Sequence, residues 1–227
     1  MKRTGWMWRC AELICTQMLQ EGAAHAVVAG SMRRGKEFPK DIEIVVCPEY
    51  DTDLFGTTLR TSGKLDMAIA KARVALCDLE TTLQLDDEVK RDGLKHKRFV
   101  LRRLHEGTPV DSCVLDLFIT VQDNHGLILV IRTGCGDFSK ALMTSPALGG
   151  KALPPGYKVE GGFLWRFVGS GHWRSAGTED WQKVPVPNEQ TFFGICGLPV
   201  PMPQERNAMW FSQVTARPNG SREMVGV

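Results

Sequence analysis

This chain of 227 residues has no cysteine pairing pattern. Cys10, Cys15, Cys47, Cys77, Cys113, Cys135 and Cys196 are odd in number, scattered, and never spaced as Cys-x-x-Cys. That argues against a disulfide framework and a zinc ligand set, and for a reducing compartment. It also has no apolar run approaching the roughly 20 residues of a membrane span. The stretch after Met1-Lys2-Arg3 is interrupted by Arg9, Glu12 and Gln17, which argues against a secretory signal. A cytoplasmic protein, not secreted and with no membrane partner, is expected. Charge of one sign is lacking as well, since the net charge is +2. Only local clustering can therefore argue for a polyanionic partner. The five histidines (His25, His96, His105, His125 and His172) show no ligand spacing, and there are no internal repeats.

Hydrophobic residues at 43% and charged residues at 24% suit a globular protein able to bury a real core. Ala11, Leu13, Ile14, Met18 and Leu19 predict a helix over Trp8–Leu19 that Gly22 can end. Ala26–Ala29 reads as a short strand, and 47–63 as turn-rich. Leu65, Ala68, Ile69, Ala72, Leu76, Leu79 and Leu83 predict a helix over Lys64–Leu85. A basic segment follows, with Lys90, Arg91, Lys95, Lys97, Arg98, Arg102 and Arg103. Its later half and the run Ser112–Val121 read as an antiparallel hairpin turning at Gly107-Thr108-Pro109. Gly126–Ile131 reads as a further strand, Ser139–Met143 as a short helix, and Phe163–Val168 as an aromatic strand. Asn188–Cys196 reads as a capped helix, and the chain beyond Asn207 as weakly structured.

The stretch Ala29–Val46 carries the chemistry. Gly30-Ser31 opens a turn, Arg33, Arg34, Lys36 and Lys40 follow, and an apolar strand then carries Asp41 and Glu43. Residues two apart on a strand share a face, so both carboxylates project to one side. Their mutual repulsion is hard to justify by stability, and divalent cations would relieve it. Asp116 is a lone acid inside another apolar strand. Three acids on neighbouring strands suit two Mg²⁺ ions, and such a pair serves in-line phosphoryl displacement. Gly30-Ser31 offers a phosphate seat, with Arg33 and Arg34 as fork-shaped donors. The reaction class is nucleotidyl transfer.

Gly30-Ser31-x-Arg33-Arg34-Gly35, Asp41-x-Glu43 and Asp116 together resemble the nucleotidyltransferase superfamily, most closely the family X DNA polymerases. The segment from Arg132 to Lys140 is similar to the family's Thr-Gly-Ser segment beside the incoming nucleotide. Leu198-Pro199 through Pro203-Gln204-Glu205-Arg206 resembles its proline-rich C-terminal segment. The resemblance implies an α+β fold. A palm with a mixed or antiparallel sheet flanked by helices would occupy 1–123, a small α+β nucleotide-selecting (thumb-like) domain 124–207, and a weakly structured tail 208–227.

By the same resemblance Asp41, Glu43 and Asp116 hold two Mg²⁺ (or Mn²⁺), with Asp116 near the primer 3′-hydroxyl. Gly30, Ser31, Arg33, Arg34 and Lys40 hold the triphosphate. Arg132, Thr133 and Gly134 lie against sugar and base, and Gly136 and Ser139 near the base. The implied activity is DNA-directed DNA polymerase, in gap-filling repair or short primer extension. Its partners are primer-template or gapped DNA and a deoxynucleoside triphosphate, and its state is a monomer, cytoplasmic or nucleoid-associated. The sequence departs from the family at Glu43 (usually Asp), Lys40 (often Gly), Ile131-Arg132 (usually an aromatic pair), Gly136 and Ser139. No lyase or helix-hairpin-helix domain precedes Trp8, so a minimal member is expected.

Other readings stand beside this one. Asp41 and Glu43 can sit on a solvated strand face, and Asp116 can pair with an arginine such as Arg102. Lys95, Lys97 and Arg103 either track a nucleic-acid backbone or belong to a charged hairpin. Trp165, Trp173 and Trp181 read as core or structural. A template-independent or ribonucleotide-adding transferase, and a degenerate nucleic-acid-binding module, are the alternatives in function.

Overall fold

The computed structural model describes residues 3–52, 58–61, 63–85, 93–145, 148–150, 152–175 and 177–215. Lys90, Arg91 and the chain beyond 215 lie outside the described residues.

Helix α1 (Arg3–Gln20) forms because Trp6, Met7, Cys10, Ala11, Ile14 and Met18 recur at helical spacing and are all buried. It ends as expected at Gly22, whose φ is +91°. The Gly22 N–H donates to the Leu19 carbonyl and the Ala23 N–H to Met18, the paired bonds of a left-handed helix stop. Strand β1 (His25–Val28) runs into the one-turn helix α2 (Gly30–Arg33), and β2 (Asp41–Cys47) follows. Next come the small pair β3 (Tyr50–Thr52) and β4 (Thr58–Thr61), then α3 (Gly63–Cys77), β5 (Thr81–Leu85), β6 (His96–His105) and β7 (Thr108–Ile119).

The helix expected over 64–85 is in fact two elements. It stops at Cys77, Glu80 turns the chain at φ +49°, and Thr81–Leu85 pairs antiparallel with β6. Leu83 fits the period of a strand as well as that of a helix, and the β-branched Thr81-Thr82 favours the strand. Thr81 also accepts a buried 2.8 Å hydrogen bond from the Trp6 indole, which ties this edge to α1.

The main sheet has the order β1-β2-β7-β6-β5, with β2 and β7 parallel and all other pairs antiparallel. One face, with Ile42, Ile44, Val46, Phe99, Leu101, Leu115, Leu117 and Ile119, packs on α1 and α3 as the larger core. The hairpin β6–β7 turns at Glu106-Gly107, both at positive φ, as a tight two-residue turn requires. A bulge between Arg103 and Leu104 then shifts its register by one residue.

The second part contains α4 (His125–Thr133), α5 (Gly136–Met143), the antiparallel sheet β8 (Tyr157–Glu160), β9 (Phe163–Phe167) and β10 (Trp181–Val184), α6 (Glu189–Ile195) and α7 (Trp210–Thr215). Leu127, Val130, Phe138, Leu142, Leu164, Phe192, Phe193 and Trp210 form its core. Residues 126–131, expected as a strand, lie in α4. A short apolar run does not distinguish a buried strand from a buried helix by period alone. Gly126 lets α4 seat directly on the Asn188 backbone, where a Cβ would collide. The helix at 188–196 is capped as expected, the Asn188 side chain accepting the Thr191 N–H at 2.9 Å. Within the stretch expected as a weak tail, α7 is helical, and Trp210 packs against Phe138 and Phe193. No described helix is long and apolar enough to cross a membrane.

Candidate active site

The acids gather on the sheet face turned away from α1 and α3. Asp41 and Glu43 alternate with buried Ile42 and Ile44, and Glu43 pairs in register with Asp116 on the parallel neighbour β7. Paired residues of neighbouring strands share a face, so the three side chains project to the same side of the sheet. Beyond them this face is covered by a small apolar cluster of Ala29, Val45, Phe118 and Leu129, which joins the sheet to α4.

Glu43 is half-buried beside Gly30. Gly30 has φ +62°, and a Cβ there would overlap the Glu43 carboxylate, so two separate constraints demand glycine. Burial first and the Asp41 charge second push the Glu43 carboxyl up to about 7; Asp116 adds to the rise, while Arg132 and Arg34 oppose it. The buried Oγ of Ser31, which follows Gly30 in the chain, has no hydrogen-bond partner, the one such side-chain atom among the described residues. A buried hydroxyl without a partner costs stability, and a ligand oxygen would satisfy it.

Asp116 has the opposite surroundings. It is 4% exposed. Its Oδ1 accepts from Arg98 Nε at 2.7 Å, its Oδ2 accepts from Arg98 Nη2 at 2.8 Å, and His96 Nε2 lies 2.7 Å from Oδ1. Burial would raise its pKa, but the bonds to Arg98 and His96 hold it below the usual carboxylate value. The His96 ring stacks on Phe118 at 4.7 Å, and the Arg132 guanidinium lies 3.8 Å from the same ring's centroid.

The expected triphosphate ligands are divided. Arg33 reaches across to α6, its Nη1 and Nη2 donating to Glu189 at 2.9 and 2.7 Å and Nη1 also to Thr133 Oγ1 at 2.8 Å. Arg206 donates to the same carboxylate, and together the two arginines overcome burial to lower the Glu189 pKa. Arg34 Nη1 donates to the Thr133 and Gly134 carbonyls at 2.7 and 3.1 Å, at the C-terminal end of α4. Both arginines thus fasten α2 to the second part of the chain. Lys40 is exposed next to Asp41.

Of the expected sugar and base residues, Thr133 is buried and Arg132 is exposed toward the acids. Gly134 is packed so closely on Phe138 that a Cβ would clash, and Ser139 Oγ donates to the Ile131 carbonyl at 2.8 Å. Gly136 stands open at the start of α5. Lys97 and Arg103 alternate with Arg98 and Arg102 on β6, so they lie on the face of Phe99 and Leu101, opposite the acids. Lys95 precedes that strand and donates to the Gly161 carbonyl at 3.4 Å. His96, Arg98, Phe118 and Glu189 were not singled out from the sequence. Asp116 does pair with an arginine, but with Arg98 rather than Arg102.

Among the described residues no three His, Cys, Asp or Glu side chains converge closely enough to hold a metal. The geometric reason is that Asp116 is turned onto Arg98 and His96. Asp41 and Glu43 fit a divalent cation, as two acids on one strand face whose mutual charge helps raise the Glu43 pKa; Asp116 would join them by exchanging its present partners. No protein-family model and no curated protein matches this chain.

Proposed function

We propose that this protein is a nucleotidyltransferase of the family X DNA polymerase type, adding deoxynucleotides to a primer 3′ end on gapped or primed DNA. In this reading residues 1–123 are the palm and 124–207 the nucleotide-selecting domain. The observation that carries it is the grouping of Asp41, Glu43 and Asp116 on one face of paired strands, with the unsatisfied Ser31 hydroxyl next in the chain to Gly30, which packs on Glu43. Asp41 and Glu43 would hold two Mg²⁺ or Mn²⁺, with Asp116 completing the set once released from Arg98 and His96. Bound there, the cations supply activation of the 3′-hydroxyl and neutralise charge on the leaving pyrophosphate. The chain's own groups do the positioning. Ser31 Oγ donates to a phosphate oxygen, Arg34 and Arg132 add positive charge near Glu43, and Arg33 holds α2 to α6 so that phosphate seat and base pocket keep one spacing.

Extension of a gapped duplex, with and without Mg²⁺, tests the reading. Asp41→Asn and Asp116→Asn should each lower the rate on the order of 10³-fold. An Asp116→Asn protein that extends as fast as wild type would overturn the assignment.

A ribonucleotide-adding or template-independent transferase is the second reading, favoured by Arg132. Stacked on Phe118, it places a cation where the resemblance implies an aromatic group sensing the sugar. Comparing dNTP with NTP incorporation, on templated and single-stranded primers, separates the two.

A further inference from the structure

The second sheet has an outer face that its core does not use. On β9, Leu164 points into the core, so Phe163, Trp165 and Phe167 lie on the opposite side. The register sets Lys158 and Lys183 on either side of Trp165, and Trp181 beside Phe167. Four aromatic rings on two adjacent strands therefore form one half-buried surface. Its cover is two flexible cations: Lys183 Nζ lies 4.3 Å from the Phe163 ring centroid and 5.5 Å from Trp165, and Lys158 Nζ 4.4 Å from Trp181. In the connection between β9 and β10, Arg174 stacks over Trp173 at 5.2 Å. The one acid in register on this face, Glu160, is paired with Lys158 at 2.8 Å. Trp165 and Trp181, expected as core or structural, are half-buried on the outer face of this sheet.

We infer that this face is a platform for a single strand of DNA, whose unpaired bases stack on Trp165, Trp181 and Phe163 and whose phosphates meet Lys158 and Lys183. Aromatic rings interleaved with cations on a flat sheet suit single strands, where bases offer open π-faces. A duplex hides those faces. Lysine stems lie along apolar surface with their ammonium groups in water, so a base can displace them from the rings while each ammonium turns to a phosphate. Position argues for the same occupant. The Gly161-Gly162 end of the hairpin is held by Lys95 and by the Asn124 amide, which donates to the Gly162 carbonyl at 3.0 Å. Lys95 is the neighbour of His96, the partner of Asp116. The choice of DNA over RNA rests on the proposed function: the platform would carry unpaired template leaving the acid face.

The test is tryptophan fluorescence titration of the full chain with oligo-dT of about 16 nucleotides, without metal or nucleotide, so that binding is read separately from turnover. Oligo-U, a blunt duplex and polyglutamate are the comparison ligands. Oligo-dT should quench the fluorescence and bind tightest. The Lys158→Ala/Lys183→Ala double variant should bind several-fold more weakly, with its salt slope reduced by about 1.4, roughly 0.7 for each phosphate no longer neutralised. Trp165→Ala should weaken binding about 10-fold, and Trp165→Phe should restore part of it. Wild-type affinity and salt slope in a folded double-lysine variant would overturn the platform, as would equal or tighter binding of polyglutamate, duplex or oligo-U. If platform binding is seen but no protein extends a primer, the polymerase reading fails and the platform stands.

Discussion

Glu43 and Asp116 stand side by side across the β2–β7 pairing, and their surroundings drive them apart. Both are withdrawn from water. Asp116 has a guanidinium fork and an imidazole and is held ionised, whereas Glu43 rests on the Gly30 backbone, faces Asp41, and holds its proton up to about pH 7. A buried acid ion-paired within the chain has to exchange that partner before it can take another cation. One raised by burial and by a neighbouring acid gains when a cation arrives.

The largest effect should come from removing the supplied cation. Arg98→Ala leaves Asp116 buried with His96 alone, and should cost about 3 kcal/mol in urea unfolding of the metal-free protein. Mg²⁺ should then raise the melting temperature of Arg98→Ala more than that of wild type, because Asp116 becomes available to it; an equal rise would break the comparison.

The next effect runs in the other direction. Glu43 has a raised folded-state pKa, so the stability it contributes is present below about pH 4.5 and lost as pH rises through about 7. Glu43→Gln should therefore stabilise the metal-free protein at neutral pH by about 2 kcal/mol. His125 supplies an opposing slope. Burial, with His25 stacked on it at 4.6 Å, lowers its pKa to about 4. Its contribution is present above about pH 6.5 and lost as pH falls toward 4. The two slopes oppose each other between about pH 4.5 and 6.5 in wild type. In Glu43→Gln the acid-side loss should stand alone, as denaturation across that range will show.

The smallest effect should be at Ser31. Ser31→Ala removes a hydroxyl without a partner, so stability should change by less than about 1 kcal/mol. Triphosphate affinity should fall several-fold, as isothermal titration with a non-hydrolysable analogue would report.

Much of this arrangement was legible in the sequence. Period two placed Asp41 and Glu43 on one face, Gly22 marked the end of α1, and Asn188 the start of α6. The partners of Asp116 were not legible, and one residue explains why. Counted back from the Glu106-Gly107 turn at constant register, Lys97 would oppose Asp116, and Lys95, Lys97 and Arg103 would share the acid face. The bulge at Arg103/Leu104 slips the strand by one, puts Arg98 opposite Asp116, and turns those lysines to the other side. Nothing in the local composition announces that slip. The α4 segment was illegible for a different reason. Its all-apolar run suits either period, and the packing that goes with the helix, Gly126 on the Asn188 backbone, is distant in the chain. The Arg33–Glu189–Arg206 cluster depends on residues more than 150 apart in the chain meeting in space, which no local pattern encodes.

The contact between Gly30 and Glu43 has a consequence for descent. The volume a side chain would fill at position 30 is already occupied by the longer acid at position 43, so the two positions are not free to drift independently. Relatives of this chain should show them as a correlated pair. Where position 43 is the shorter aspartate, position 30 is limited only by its left-handed backbone and can admit asparagine as well as glycine. Where position 43 is glutamate, position 30 should be glycine without exception.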